Sequence, residues 1–451
     1  MNRRQFLAVA ATTATTATAG CVGSGPTDGD LSPLGSERSI ALESVAEGFR
    51  EPVAFQTARG DRLRYVADKY GRIAVHDESG VRETPFLDVS DQLAELSTWE
   101  QGLLGFELHP EFETSRKCYV RYSAPRREGT PAGFSHTFVL SEFRARPDLR
   151  TVDPDSERTL LEIPEQGPNH NSGAIVFGPD GYLYVGVGDG HSRGGDRGTG
   201  HAEDWYWLNA GGNGQDVTEN LRGSVLRLDV DDRANGKPYA IPDDNPLVGE
   251  DGLDEQYAWG FRNPYRMSFS GEDLYVGDVG KAHVEEVNRV EKGGNYGWNV
   301  REGTRCHANR YALAALAKLP WFDQTYPVCP DETPDGDPLI DPVVAYPHDR
   351  DGEPFGRAVV AGYRYENETV PAIRDEYVFG DLSGIGSGLY AATPTEEGRW
   401  PMRSLDVVSG PEMANRFVLS FGRDAAGELY VLTTQFAEGT GAVHRIVTPE
   451  S

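Results

Sequence analysis

The sequence predicts an all-β fold, a six-bladed β-propeller, on three observations. Composition is the first: 53 Gly and 29 Pro accompany 38% hydrophobic and 10% aromatic side chains among 451 residues, a globular mixture rich in turn formers that suits many short strands. A Tyr-centred strand that recurs six times is the second. The third is the scarcity of helical periodicity, which is confined to residues 310–318.

Residues 1–21 read as an address rather than as fold. Asn2-Arg3-Arg4-Gln5-Phe6-Leu7 carries a twin-arginine pattern, and an Ala/Thr run follows it to Thr18-Ala19-Gly20-Cys21. Such signals serve exported chains, and small residues before a cysteine match a lipoprotein-type cleavage site, so Cys21 is the expected lipid attachment point. The run is too short and too rich in Thr to span a membrane. Residues 22–38 read as a flexible tether, and residues 39–449 as a single propeller domain. Export sets the chain on the extracellular face of the cell membrane, where thiols oxidise. Cys306 and Cys329 bracket a Pro-rich loop and are expected to pair; Cys118, in an apolar strand pattern, reads as a buried free thiol.

The clearest copies of the repeat are residues 175–185 and 421–431, each an apolar stretch, an Asp- and Gly-containing turn and a Leu-Tyr-Val strand. Weaker copies end at Tyr65-Val66, Tyr119-Val120, Tyr275-Val276 and Tyr377-Val378. Asp-Gly-type turns between alternating apolar residues are a strong hairpin signal. Six anchors spaced by roughly 50 to 100 residues fit four-stranded blades carrying long insertions. The apolar segment 40–55 is placed as an outer strand beside residues 442–447, closing the ring. Loops at one end of the channel are then where chemistry is expected.

Charge narrows the partners. The formal net charge is −28, with six lysines against 37 arginines, and so acidic a chain repels nucleic acid and anionic lipid. Its carboxylates are dispersed through loops, as on the surface of a protein from a high-salt habitat; an ordinary acidic secreted protein is the other reading.

Three polar constellations stand out. Asn169-His170-Asn171-Ser172-Gly173 lies directly before the clearest strand pair, and histidine titrates where oxidation of an alcohol or hemiacetal needs a base. Asp189 follows at the end of the next strand, as an orienter of that imidazole or as a turn carboxylate. Arg262 and Asn263, in Gly260-Phe261-Arg262-Asn263-Pro264, need a partner if buried, either an anionic ligand or a structural carboxylate. Gly277-Asp278-Val279-Gly280, Glu285-Glu286 and Gly293-Gly294-Asn295-Tyr296 set carboxylates beside glycine loops, which suits calcium or two solvated glutamates.

In this order, the constellations resemble a family. Glu100-Gln101-Gly102-Leu103-Leu104-Gly105, with His109-Pro110, precedes His170-Asn171-Ser172-Gly173, Trp259 to Pro264, Gly277 to Asn288 and Lys292 to Trp298. The run is similar to the soluble PQQ-dependent glucose and aldose sugar dehydrogenases of the glucose/sorbosone dehydrogenase superfamily, over about residues 45 to 440. The resemblance implies a six-bladed propeller, the cofactor pyrroloquinoline quinone (PQQ) and calcium. It makes His170 the base at the sugar C1 hydroxyl, Asp189 its partner and Arg262 the stabiliser of the reduced quinone. Arg262, Asn263 and Tyr365 are set on the cofactor and Glu100 on the substrate, where glucose-oxidising relatives carry Gln. Carbonyls of Gly280 and Lys281 match ligands of a calcium facing the cofactor; Glu285, Glu286 and Tyr296 match a second calcium region.

The sequence also departs from the family. Relatives hold the PQQ carboxylates with a Lys and an Arg pair near the last blades. Here those stretches are Gly380-Asp381-Leu382-Ser383 and Arg416-Phe417-Val418-Leu419, leaving Arg193, Arg197, Arg262 and Arg364 as substitutes. The preferred reading is an exported aldose dehydrogenase yielding a lactone and passing electrons to a membrane acceptor. The alternative is a non-enzymatic calcium-binding cell-surface propeller that acts as a binding module, and a third reading is a calcium-dependent lactonase.

Overall fold

The computed structural model describes residues 31–190, 213–234, 236–307, 330–382 and 386–450. It is an all-β, propeller-like arrangement of antiparallel sheets. One sheet joins Pro52–Ala58, Leu63–Asp68 and Arg72–Asp77, with Gly80–Val81 and Leu87–Asp88 on its outer edge. A second runs through Leu103–Leu108, Lys117–Ala124, His136–Ala145 and Val152–Glu165. The third comprises Ile175–Phe177, Leu183–Val187, Ser224–Leu228 and Gln256–Trp259. Pro264–Ser270, Asp273–Asp278, Val284–Val290 and Val344–Pro347 make the fourth.

The remaining large sheet has eight strands. Val359–Arg364, Tyr377–Asp381, Leu389–Ala392 and Met402–Ser409 form one half, and Phe417–Arg423, Leu429–Thr434, Gly441–Val447 and Arg38–Phe49 the other. The halves meet where Arg38 pairs in parallel with Leu405. First strands of successive sets touch one another in a closed circuit, from Pro52–Ala58 round to Phe417–Arg423 and back.

The expected closure is present. Arg38–Phe49 pairs antiparallel with Gly441–Val447, in the register Leu42 to Ile446 and Ala46 to Val443. The structure refines the boundary, since Pro52–Ala58 belongs to the next sheet. Part of the expected tether is also tied down: Ser32 N donates to Ala345 O at 2.7 Å and Gly35 N to Met402 O at 2.7 Å.

All six tyrosine anchors fall in the second strand of a four-strand set, and the chemistry of the repeat explains why. In the two clearest copies the turn aspartate accepts the strand tyrosine's hydroxyl, at 2.8 Å for Tyr184 on Asp180 and 2.8 Å for Tyr430 on Asp424. The same aspartates accept backbone amides of their own turns, and Gly181 and Gly427 sit at φ 83° and 82°, where a side chain is strained. Turn and buried ring therefore specify each other.

Cys118 is a buried free thiol and Cys306 is disulfide-bonded. Its expected partner Cys329 lies outside the described residues, as do Cys21, Arg193, Arg197 and the helical candidate 310–318. No helix among the described residues is long and apolar enough to cross a membrane.

Candidate active site

His170 lies in a loop of unusual backbone shape. It adopts φ 57° and Ser172 φ 52°, left-handed values that cost non-glycine residues on the order of 1 kcal/mol or more and persist only where the surroundings enforce them. Here they do. Ser172 N donates to Asn263 Oδ1 at 2.8 Å and its hydroxyl to Pro264 O at 2.5 Å, while Asn171 Nδ2 donates to Pro168 O at 2.7 Å. Glu100 Oε2 accepts His170 N at 2.5 Å. A Cβ on Gly188 would lie 1.9 Å from His170 O, so only glycine lets the neighbouring strand end pass.

The imidazole is held from both sides. Asp189 Oδ1 lies 2.6 Å from His170 Nδ1, and Asp189 Oδ2 accepts Trp298 Nε1 at 2.9 Å. Arg262 Nη2 lies 2.8 Å from His170 Nε2. Arginine only donates, so Nε2 presents its lone pair and Nδ1–H points at the carboxylate. His170 and Asp189 are each 5% exposed, which keeps the pair out of bulk water.

Arg262 is itself fixed. Its Nη1 donates to Val279 O at 2.7 Å and Gly280 O at 2.9 Å. Asp278 accepts Arg262 N at 2.9 Å and Asn263 N at 2.6 Å, so one buried carboxylate orients both residues. Burial holds Asp278 and its cross-strand partner Glu286 well above the usual carboxylate range; the charge of Asp189 raises Asp278 further, and that of Asp278 raises Glu286. Behind the next loop, Glu302 Oε1 accepts four successive amides, from Lys281 to Val284, at 2.7–3.1 Å. Burial pushes its pKa up, but the charges of His348, His283 and His307 and the amides win and bring it down to about 2.

These groups face a cavity of ≈ 220 Å³. His170, Ser172, Glu100, Arg262, Asn263, Gly280 and Lys281 line it, so the structure gathers most of the expected catalytic, cofactor and substrate residues around one cavity. Tyr365 corrects the expectation: its hydroxyl bonds Thr369 at 2.7 Å and Glu428 at 3.1 Å, away from the cavity. Val360 lines the cavity, and five residues of strand put Tyr365 roughly 17 Å further out. Arg364, at the same outer end, is likewise off the cavity.

The second calcium set does not assemble. Glu285 is taken by His348 Nε2 at 2.6 Å and Val359 N at 2.9 Å, Glu286 accepts Gly303 N, and Tyr296 OH bonds Arg289 O and Glu291 N at the other end of that strand. Among the described residues no group of three or more His, Cys, Asp or Glu side chains gathers as a metal site needs. Residues that sequence reasoning missed are Trp298 and Asp278, both inside recognised motifs, and Lys69, Glu51 and Arg357, which carry no motif. Of the two departing stretches, Leu382 and Leu419 reach the cavity, Ser383 lies outside the described residues, and Arg416 turns to Thr433 and Thr440.

Fold and site together define a propeller-like protein with a histidine–carboxylate pair in a central pocket. A family model described as Glucose / Sorbosone dehydrogenase matches residues 49–317, more than half the chain, and the chain belongs to that family. It is similar to the HIPL1 protein of Arabidopsis thaliana, 27% identical over 94% of this chain and 65% of that one. The Hedgehog-interacting protein of Homo sapiens is 24% identical over 93% and 54%, so the chain spans less than two thirds of these relatives' lengths. Quinoprotein glucose dehydrogenase B of Acinetobacter calcoaceticus is 27% identical over 50% of this chain and 45% of its own. Among solved structures, the soluble aldose sugar dehydrogenase of Escherichia coli aligns with TM-score 0.66 at 20% identity, over 91% of this chain and 100% of that one. The PQQ-bound aldose sugar dehydrogenase of Streptomyces coelicolor aligns at 0.59 and 17%, over 91% and 98%.

Proposed function

We propose that this protein is an exported, PQQ- and calcium-dependent sugar dehydrogenase that oxidises the C1 hydroxyl of an aldose to a lactone. The observation that carries the reading is the His170–Asp189–Trp298 hydrogen-bond chain, whose His170 end lines the cavity. Asp189 keeps the Nδ1 proton in place, Nε2 takes the proton of the C1 hydroxyl, and Asp189 stabilises the imidazolium that results. Arg262 now donates to that nitrogen, so the substrate hydroxyl takes its place there. When bound, PQQ supplies the hydride acceptor and calcium polarises its carbonyl.

The cavity suits such a cofactor. Trp99, Tyr265 and Phe436 offer rings to a planar group, and Lys69, Arg262, Lys281 and Arg357 set four cations around it. Gly280 O and the carbonyl of Lys281 are the calcium candidates; Gly280 O already faces a guanidinium, as an oxygen that serves a cation does. For a calcium at Glu285, Glu286 and Tyr296 the residues do not fit, and no step is assigned to one.

We further take the eight-stranded sheet as two blades joined edge to edge, which makes six blades with one tyrosine anchor each. Delivery by the twin-arginine signal, a lipid at Cys21, the extracellular membrane face and a membrane electron acceptor belong to the same proposal. A binding module is the second reading, favoured by the similarity to Hedgehog-interacting protein across most of the chain. The test is turnover: with PQQ and calcium added, an aldose reduces an artificial acceptor, and His170→Ala abolishes it. Absence of turnover on a panel of aldoses at saturating PQQ supports the module instead.

A further inference from the structure

Charged side chains of both signs line the cavity. Of these, the Lys69 ammonium is already paired with Glu51 and donates to Trp99 O at 3.0 Å. Lys281 and Arg357 also line it, and their segments meet at Glu285 Oε2, which accepts Gly280 N at 3.3 Å and Val359 N at 2.9 Å. Arg357 is held there by its own backbone: Asp381 Oδ2, fully buried, accepts Arg357 N at 2.8 Å, Ala358 N at 3.1 Å and Tyr346 OH at 3.0 Å. Across the strands, Leu382 N donates to Ala358 O at 2.9 Å, so an apolar side chain flanks the arginine.

Among the described residues no carboxylate comes within ion-pair distance of the Arg357 guanidinium, and Asp381 meets the backbone of Arg357. Ala358, its neighbour in sequence, packs together with Leu382, Leu419 and Phe436, and all four line the cavity. Both oxygens of Glu285 are taken, by His348 and by Val359 N. Among the described residues Arg357 makes no ion pair, although it is only half-exposed. A guanidinium beside apolar walls and facing a cavity is matched by an acceptor that arrives from the cavity, and a carboxylate meets its two parallel N–H donors best.

We propose that Arg357, with Lys281 beside it, is a carboxylate-binding subsite that takes the acidic edge of a planar aromatic polyacid. Resting on the reading above, that polyacid is PQQ. Asp381 is then a positioning residue: it spends its charge on the backbone of Arg357, which delivers the guanidinium to the cavity.

The test titrates purified full-length protein with PQQ and with its trimethyl ester, followed by quenching of tryptophan fluorescence. The subsite predicts that wild type prefers the acid, that Arg357→Ala weakens PQQ about tenfold to a hundredfold while leaving the ester unchanged, and that Arg357→Lys restores part of the loss. Unchanged PQQ affinity in Arg357→Ala overturns the subsite alone, as does equal weakening of acid and ester. If wild type binds neither ligand, the cofactor reading fails and the subsite with it.

Discussion

At the scale of the residue, the role proposed for His170 rests on neighbours that leave it one orientation. Two hydrogen bonds of 2.6 and 2.8 Å fix the ring, and a glycine contact fixes its backbone. Asp189 acts through the histidine, so Asp189→Asn should keep the fold and KM but lower kcat by about 10²–10⁴ and displace the pH profile. A pH–rate series checks this, because a merely structural role would not move the profile. That His170, Asp189, Arg262 and Asn263 come together was legible because each sits in a short motif beside a strand end. Trp298 was not legible as Asp189's second partner, since the contact spans 109 residues. Tyr365 was misplaced because sequence order does not say which end of a strand meets the pocket.

At the scale of the element, the tyrosine anchors were legible because their restraint is local. Asp180 and Tyr184 are four residues apart, so turn and strand appear together in the sequence. Which strands share a sheet is decided by pairings of long range. The expected closure succeeded where apolar patterns at both ends of the chain match, and residues 52–55 went to the next sheet because Pro52–Ala58 pairs with Leu63–Asp68. Leu42, 4% exposed, lies on the closing strand and packs with Ile446, Leu405 and Met413. Leu42→Ala should cost roughly 2–5 kcal/mol, read as a lower denaturation midpoint; a change under about 0.5 kcal/mol would mean that the closure carries little of the stability.

At the scale of the whole molecule, buried charge and surface charge make separate predictions. Glu165 is fully buried opposite His136 in the sheet and near Arg121, Arg222 and Asp189, and burial raises its pKa to about 7 against the pull of the two arginines. A raised carboxylate favours the fold below its unfolded pKa, about 4.3, and that contribution is lost as pH rises through about 7. Wild type should therefore lose stability on the order of 3 kcal/mol between pH 4 and 8 through this group, and Glu165→Gln should flatten that slope in denaturant titrations. The net charge of −28 repels itself in dilute buffer, so the melting temperature should rise from 0.1 to about 3 M KCl.

The role proposed for His170, base of a sugar oxidation in this pocket, is tested by reduction of bound PQQ. The protein is loaded with PQQ and calcium under anaerobic conditions, an aldose is added without any acceptor, and the quinone absorbance is followed. The bound quinone should be reduced in wild type and not, on the same timescale, in His170→Ala with PQQ still bound. Reduction at an equal rate in both proteins, or binding of PQQ with no reduction by any aldose, would contradict it.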